Sequence, residues 1–106
     1  MIVIPSYKKF KKSDIQLDVI GNPYIPLPEN IQERMEDNFS EEQIKEKFVL
    51  AHAEAFGLGY LNIIVGYHGL RVLATDIRTW NVVMVKKWHR LIIAIYDLLE
   101  VDYVEL

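Results

Sequence analysis

Two five-residue patches, Lys8-Lys9-Phe10-Lys11-Lys12 and Lys86-Lys87-Trp88-His89-Arg90, hold seven of the chain's twelve Lys and Arg residues. The rest of the chain carries all fifteen Asp and Glu and only five bases. Cations beside a flat ring can hold an anion and stack a base. The chemistry on offer is phosphate tracking by Lys8, Lys9, Lys11, Lys12, Lys86, Lys87 and Arg90, with Phe10 and Trp88 as stacking platforms. Plainer roles compete with it. Trp88 falls on a helical apolar repeat, which makes it a core residue and leaves Lys86, Lys87 and Arg90 on the solvated side. Phe10 can pack inward from a loop while its lysines guard a strand edge.

Other reactive side chains form no motif. His52, His68 and His89 are far apart in sequence. His52-Ala53-Glu54 has the spacing of a zinc deaminase, but that site needs two following cysteines, and the chain has none. No metal site and no cofactor are expected. Gly57-Leu58-Gly59 and Gly66-Tyr67-His68-Gly69 lack the residues of dinucleotide and phosphate loops. Asp76 and Arg78 lie at a strand-to-helix junction, and a small enzyme with a site near His68 and Asp76 is the third functional reading. Residues 29–54 hold eight acids and three bases. Helix capping and solvation account for these acids, which could also face the basic patches of a second copy.

The 106 residues suit one domain, spanning 1–106. Apolar residues are 51% and charged residues 25%, as in ordinary globular chains. The net charge of −3 implies no highly charged partner by itself. The apolar start, Met1 to Ile4, meets Pro5 too soon for a signal peptide. The run Leu91 to Tyr96 is too short to span a membrane. A soluble, cytoplasmic protein is expected, with no membrane partner. The composition also suits a short protein from an AT-rich genome, such as a virus or mobile element.

These residues must be positioned by a small set of elements. Residues 1–4 read as a buried strand stopped by Pro5. Ile15, Leu17 and Val19 alternate with polar neighbours and read as the clearest strand. Pro23, Pro26 and Pro28 hold the next segment extended, and Pro28 opens a short helix. Ser40 with Gln43 forms a capping box, and Phe39 with Ile44 a hydrophobic staple, for a helix ending near Gly57. Residues 60–75 read as a hairpin around Gly66–Gly69, with a broken helix as the alternative. Ile77, Trp80, Met84, Trp88, Leu91, Ile95 and Leu98 mark a long C-terminal helix, capped by Asp76 or Thr79. Val82, Val83 and Val85 could instead form a strand. Val101 to Leu106 alternates and reads as a last strand. Both chain ends are expected to be tied down by pairing or by a neighbouring subunit.

The expected fold is α+β, a mixed or antiparallel sheet of about four to five strands packed by two main helices. A mostly α arrangement is the alternative. The C-terminal helix is apolar on more than one side, so it is either central or at a subunit interface. The favoured function is a non-enzymatic protein-interaction or assembly protein acting as a homo-oligomer. Its interface candidates are Tyr7, Tyr24, Tyr67 and Trp80, since aromatic residues anchor interfaces. The second reading is a nucleic-acid-binding module using the two basic patches.

Overall fold

A computed structural model describes residues 2–31, 62–66, 69–73 and 76–106. The Ser40 helix, the continuation of the Pro28 helix, and His52, Tyr67 and His68 lie outside those residues.

The two ends of the chain pair with each other. Strand β1 (Ile2–Ile4) lies parallel to β5 (Tyr103–Glu105), with Ile2 opposite Tyr103 and Ile4 opposite Glu105. The Ile2 amide donates to Asp102 (3.3 Å) and the Leu106 amide donates to Ile4 (2.9 Å), which closes the ladder at both ends. Pro5 lacks the N–H needed to carry β1 further.

A second sheet has the order β2-β4-β3. Strand β2 (Tyr24–Pro26) pairs antiparallel with β4 (Gly69–Leu73), which pairs antiparallel with β3 (Asn62–Gly66). Asn62 faces Leu73 and Gly66 faces Gly69, so residues 62–66 and 69–73 are paired as antiparallel strands rather than coiled as a helix.

The expectation of one sheet of four to five strands is therefore wrong. The parallel pair stands apart with two strands, and the arrangement is small and α+β-like. Two local facts explain the difference. Pro5 limits β1 to three residues. The alternating segment around Ile15, Leu17 and Val19 is no strand beyond a single bridge between Leu17 and Pro23. There Lys12–Asp14 forms a 3-10 turn. Downstream, Asp18 Oδ1 accepts from the amides of Ile20 (3.1 Å) and Asn22 (2.8 Å). The Gly21 amide donates to the Asp18 carbonyl at 3.1 Å. A short acidic side chain that satisfies its own neighbours' amides competes with a sheet ladder and turns the chain. Gly21 sits at φ +93°, where a side chain would be strained.

The long helix, α1, spans Val82–Leu98. The three valines at its start belong to the helix and not to a strand. Its cap is Asn81, one residue before them, whose Oδ1 accepts from the Met84 amide at 3.0 Å. Asp76 caps the preceding 3-10 turn Ile77–Thr79 instead. A second helix opens at residues 29–31.

One core joins these pieces. Val85, Trp88, Leu91, Ile92, Ile95 and Leu99 bury one side of the helical segment. They pack with Ile4, Phe10, Ile15, Ile25, Leu27, Trp80 and Val101. Tyr96 is buried and donates its hydroxyl to the Pro26 carbonyl at 2.6 Å, linking α1 to β2. Burial, and then the neighbouring Tyr24, raise its pKa above the ordinary tyrosine value.

The end of α1 aims the chain at β1. The Val101 amide donates to Tyr96 (2.9 Å) and the Glu100 amide to Asp97 (3.3 Å). These are the two bonds of a Schellman ending, and Glu100 occupies its left-handed position at φ 56°. Val101, buried, supplies the apolar contact and delivers Tyr103–Glu105 to its parallel partner.

Candidate interaction groove

The fold brings the two basic patches side by side. Tyr7 is the residue at which they meet. Arg90 Nη2 donates to its hydroxyl at 3.2 Å. The Arg90 guanidinium and the Lys86 ammonium lie 5.0 and 5.2 Å from its ring centroid. His89 meets Tyr7 edge-on at 5.7 Å and Phe10 at 5.0 Å. His89 is buried, and its Nε2 donates to the Pro5 carbonyl at 3.0 Å, the one role that partner leaves it.

Several of the cations have internal work. Lys86 Nζ donates to the carbonyls of Tyr7 and of Phe10, the latter at 2.9 Å. Lys12 Nζ donates to Arg78 and Lys9 Nζ to Leu106, each at 3.3 Å to a backbone oxygen. Lys8 and Lys87 make no hydrogen bond or ion pair with the described residues. Lys8 and Lys11 are exposed, whereas Lys87 is half-buried.

Between the patches lies an open groove of about 560 Å³. Lys8, Lys11, Lys12 and Lys86 ring it, and Phe10, Trp80, Val82 and Val85 supply its apolar surface. The loop half is shaped by a turn in which the Ser6 carbonyl accepts from Lys9 and Phe10, both at 2.9 Å. That turn sends Phe10 inward and its lysines outward. The helix half is set by the Asn81 cap, which starts α1 with Val82 and Val83 facing water at 73% and 60% exposure.

The rings named as stacking platforms are not available to a base. Phe10 is 2% exposed and Trp88 is 0% exposed. Trp80, named as an exposed interface candidate, is 5% exposed, because the apolar repeat carries it into the core against Trp88, with ring centroids 5.5 Å apart. Tyr7 remains partly exposed, with cations against its ring. Tyr24 is half-buried and donates its hydroxyl to Gln16 at 2.9 Å. The residues that sequence reasoning missed are Val82 and Val83, offered with Val85 as a possible strand and not as an exposed surface. Their signal was position: the first turn of a helix lies outside the ladder of buried contacts that its middle makes.

Asp76 is engaged by its own neighbour. Arg78 Nε donates to both of its carboxylate oxygens at 3.0 Å, and Nη2 to one at 2.7 Å. The Arg78 side chain holds the Asp76 carboxyl below the usual carboxylate range, and the Arg78 amide adds to this. A carboxylate of lowered pKa is a weaker base, and this one is exposed. It borders a second open cleft of about 540 Å³ with Leu17, Ile20, Asn22 and Ile77. Among the described residues no three His, Asp or Glu side chains converge as metal ligands. Among the same residues no helix is long and apolar enough to cross a membrane.

No family model, no curated protein and no solved structure matches this chain.

Proposed function

We propose that this is a small non-enzymatic protein-interaction or assembly protein that works as a homo-oligomer, with the lysine-ringed groove as its contact surface. The observation that carries the reading is exposed Val82 beside Lys8, Lys11 and Lys12 in the groove, with Val83 exposed next to it in the same helical turn. Two β-branched apolar side chains in the first turn of a helix gain nothing from water or from the helix dipole. A covering partner removes them from solvent, worth about 25 cal/mol for each Å² of apolar surface. Val3 and Leu106 at the parallel pair add to the apolar surface on offer, at 58% and 63% exposure.

Nucleic-acid binding is the second reading, favoured by the shared placement of Lys8, Lys11, Lys12 and Lys86. Phe10, Trp80 and Trp88 offer it no free face on which to stack a base, so phosphate contact would have to carry most of it.

Sedimentation velocity over a range of concentrations tests the first reading. The wild-type chain is expected to associate as concentration rises, and the double variant Val82→Glu, Val83→Glu to stay monomeric. Acidic residues suit the first turn, so the variant keeps its helix. A wild-type chain that stays strictly monomeric at high concentration removes the homo-oligomer. Retention of single-stranded RNA or DNA at about 50 mM salt, where phosphate contacts are strongest, would favour the second reading.

A further inference from the structure

Resting on that reading, we infer that the groove takes an acidic segment of a protein, led by one large apolar side chain, and not a nucleic-acid strand. The apolar side chain sits on Val82 and Val85, with Phe10 and Trp80 beneath. The flanking carboxylates meet Lys8 and Lys11, whose ammonium groups reach out from the rim. Three observations select this occupant. The surface between the lysines is apolar, as an alternating phosphate backbone would not require. Phe10, Trp80 and Trp88 are buried, so none of these three rings is presented for base stacking. Among the described residues the rim carries lysine cations and no carboxylate, and complementary charge sets partner choice more than raw affinity. The chain itself has a stretch of suitable charge, since residues 29–54 hold eight acids and three bases. A second copy is therefore one source of the segment.

The chain's own tryptophans report on the site. There are two: Trp80 lines the groove and Trp88 packs against it. The probe is a short peptide of Glu and Leu without Trp or Tyr, titrated into the full chain while indole emission is followed. Its controls are a Glu and Ser peptide, a Lys and Leu peptide, and oligothymidylate. The Glu and Leu peptide is expected to shift the emission, and its affinity to fall as salt rises. The variant Lys8→Glu, Lys11→Glu should weaken it about tenfold or more, the equivalent of about 1.4 kcal/mol. Circular dichroism confirms that this variant is folded. Val82→Glu, which leaves the lysines in place, should weaken binding to a similar degree.

Tight binding of oligothymidylate with none of the Glu and Leu peptide overturns the inference. So does equal binding of the Glu and Ser peptide, because the apolar contact would then count for nothing. The outcome of the sedimentation run stays separate. A chain that self-associates but ignores the peptide keeps the proposed function and loses this inference. A monomer that binds the peptide keeps the inference and loses the homo-oligomer. Self-association that the peptide blocks identifies the second copy as the source of the segment.

Discussion

The loop patch Lys8–Lys12 and the helix patch Lys86–Arg90 are nearly alike in composition, each a ring among cations, yet the fold gives them different work. In the helix, successive side chains are turned by about 100°. That rotation puts Trp88 and His89 in the core and Arg90 in water. Lys86, one turn before Arg90, lies across the loop, where its ammonium holds the carbonyls of Tyr7 and Phe10. In the loop, a turn at Ser6 buries only Phe10 and leaves Lys8 and Lys11 outward. The helix patch is thus mainly structural, and the loop patch is the one with charge to offer a partner. Composition alone does not separate the two; the backbone beneath them does.

The largest effect expected from this contrast is at Trp88. Trp88→Ala removes a fully buried ring and should cost about 3–5 kcal/mol in urea denaturation. A cost near that of a surface substitution would make the helix patch as free as the loop patch, and the contrast would fail.

Lys86 tests the same contrast more gently. Lys86→Ala leaves the Tyr7 and Phe10 carbonyls without their donor and should cost about 1–3 kcal/mol. The loss should change little with salt, because the acceptors are neutral carbonyls. A loss that instead disappeared in high salt would mean that Lys86 acts by charge, as Lys8 and Lys11 are expected to.

The far end of α1 lies away from both patches and closes the helix that carries one of them. Glu100 stands in a left-handed conformation that glycine adopts without strain. Glu100→Gly should raise stability by about 0.5–1 kcal/mol, read as a higher melting temperature. A fall would mean that the Glu100 side chain contributes more to the folded state than its left-handed backbone costs.

How far these roles are visible in sequence depends on the range of the forces that set them. The spacing of Trp88, Leu91 and Ile95 is enough to mark α1 and its buried side. The apolar starts and ends of the chain are enough to mark β1 and β5. The segment at Ile15, Leu17 and Val19 has the same alternation as Tyr103–Glu105, yet it forms no strand. Asp18 satisfies the nearby amides itself, whereas β5 finds β1 waiting. The groove was half legible: its cations were found by composition, but their division was not. Lys86 bonds to residues more than seventy positions away, and no local pattern records that. Val82 and Val83, offered with Val85 as a possible strand, were not foreseen as an exposed first turn for a similar reason. Periodicity places a residue on a helix face but does not say where along the helix that face leaves the core.

The smallest stability effect belongs to the loop patch. Lys8→Glu, Lys11→Glu changes two exposed side chains, and unfolding should move by no more than about 0.5 kcal/mol. The same variant is expected to lose most of its affinity for the Glu and Leu peptide. That pairing of an unmoved fold with lost binding is what separates a docking surface from a structural one. Lys86→Ala should give the reverse ordering, with stability falling first. If the Lys8 and Lys11 substitutions instead unfolded the chain, these lysines would be structural too, and the division of labour between the two patches would be gone.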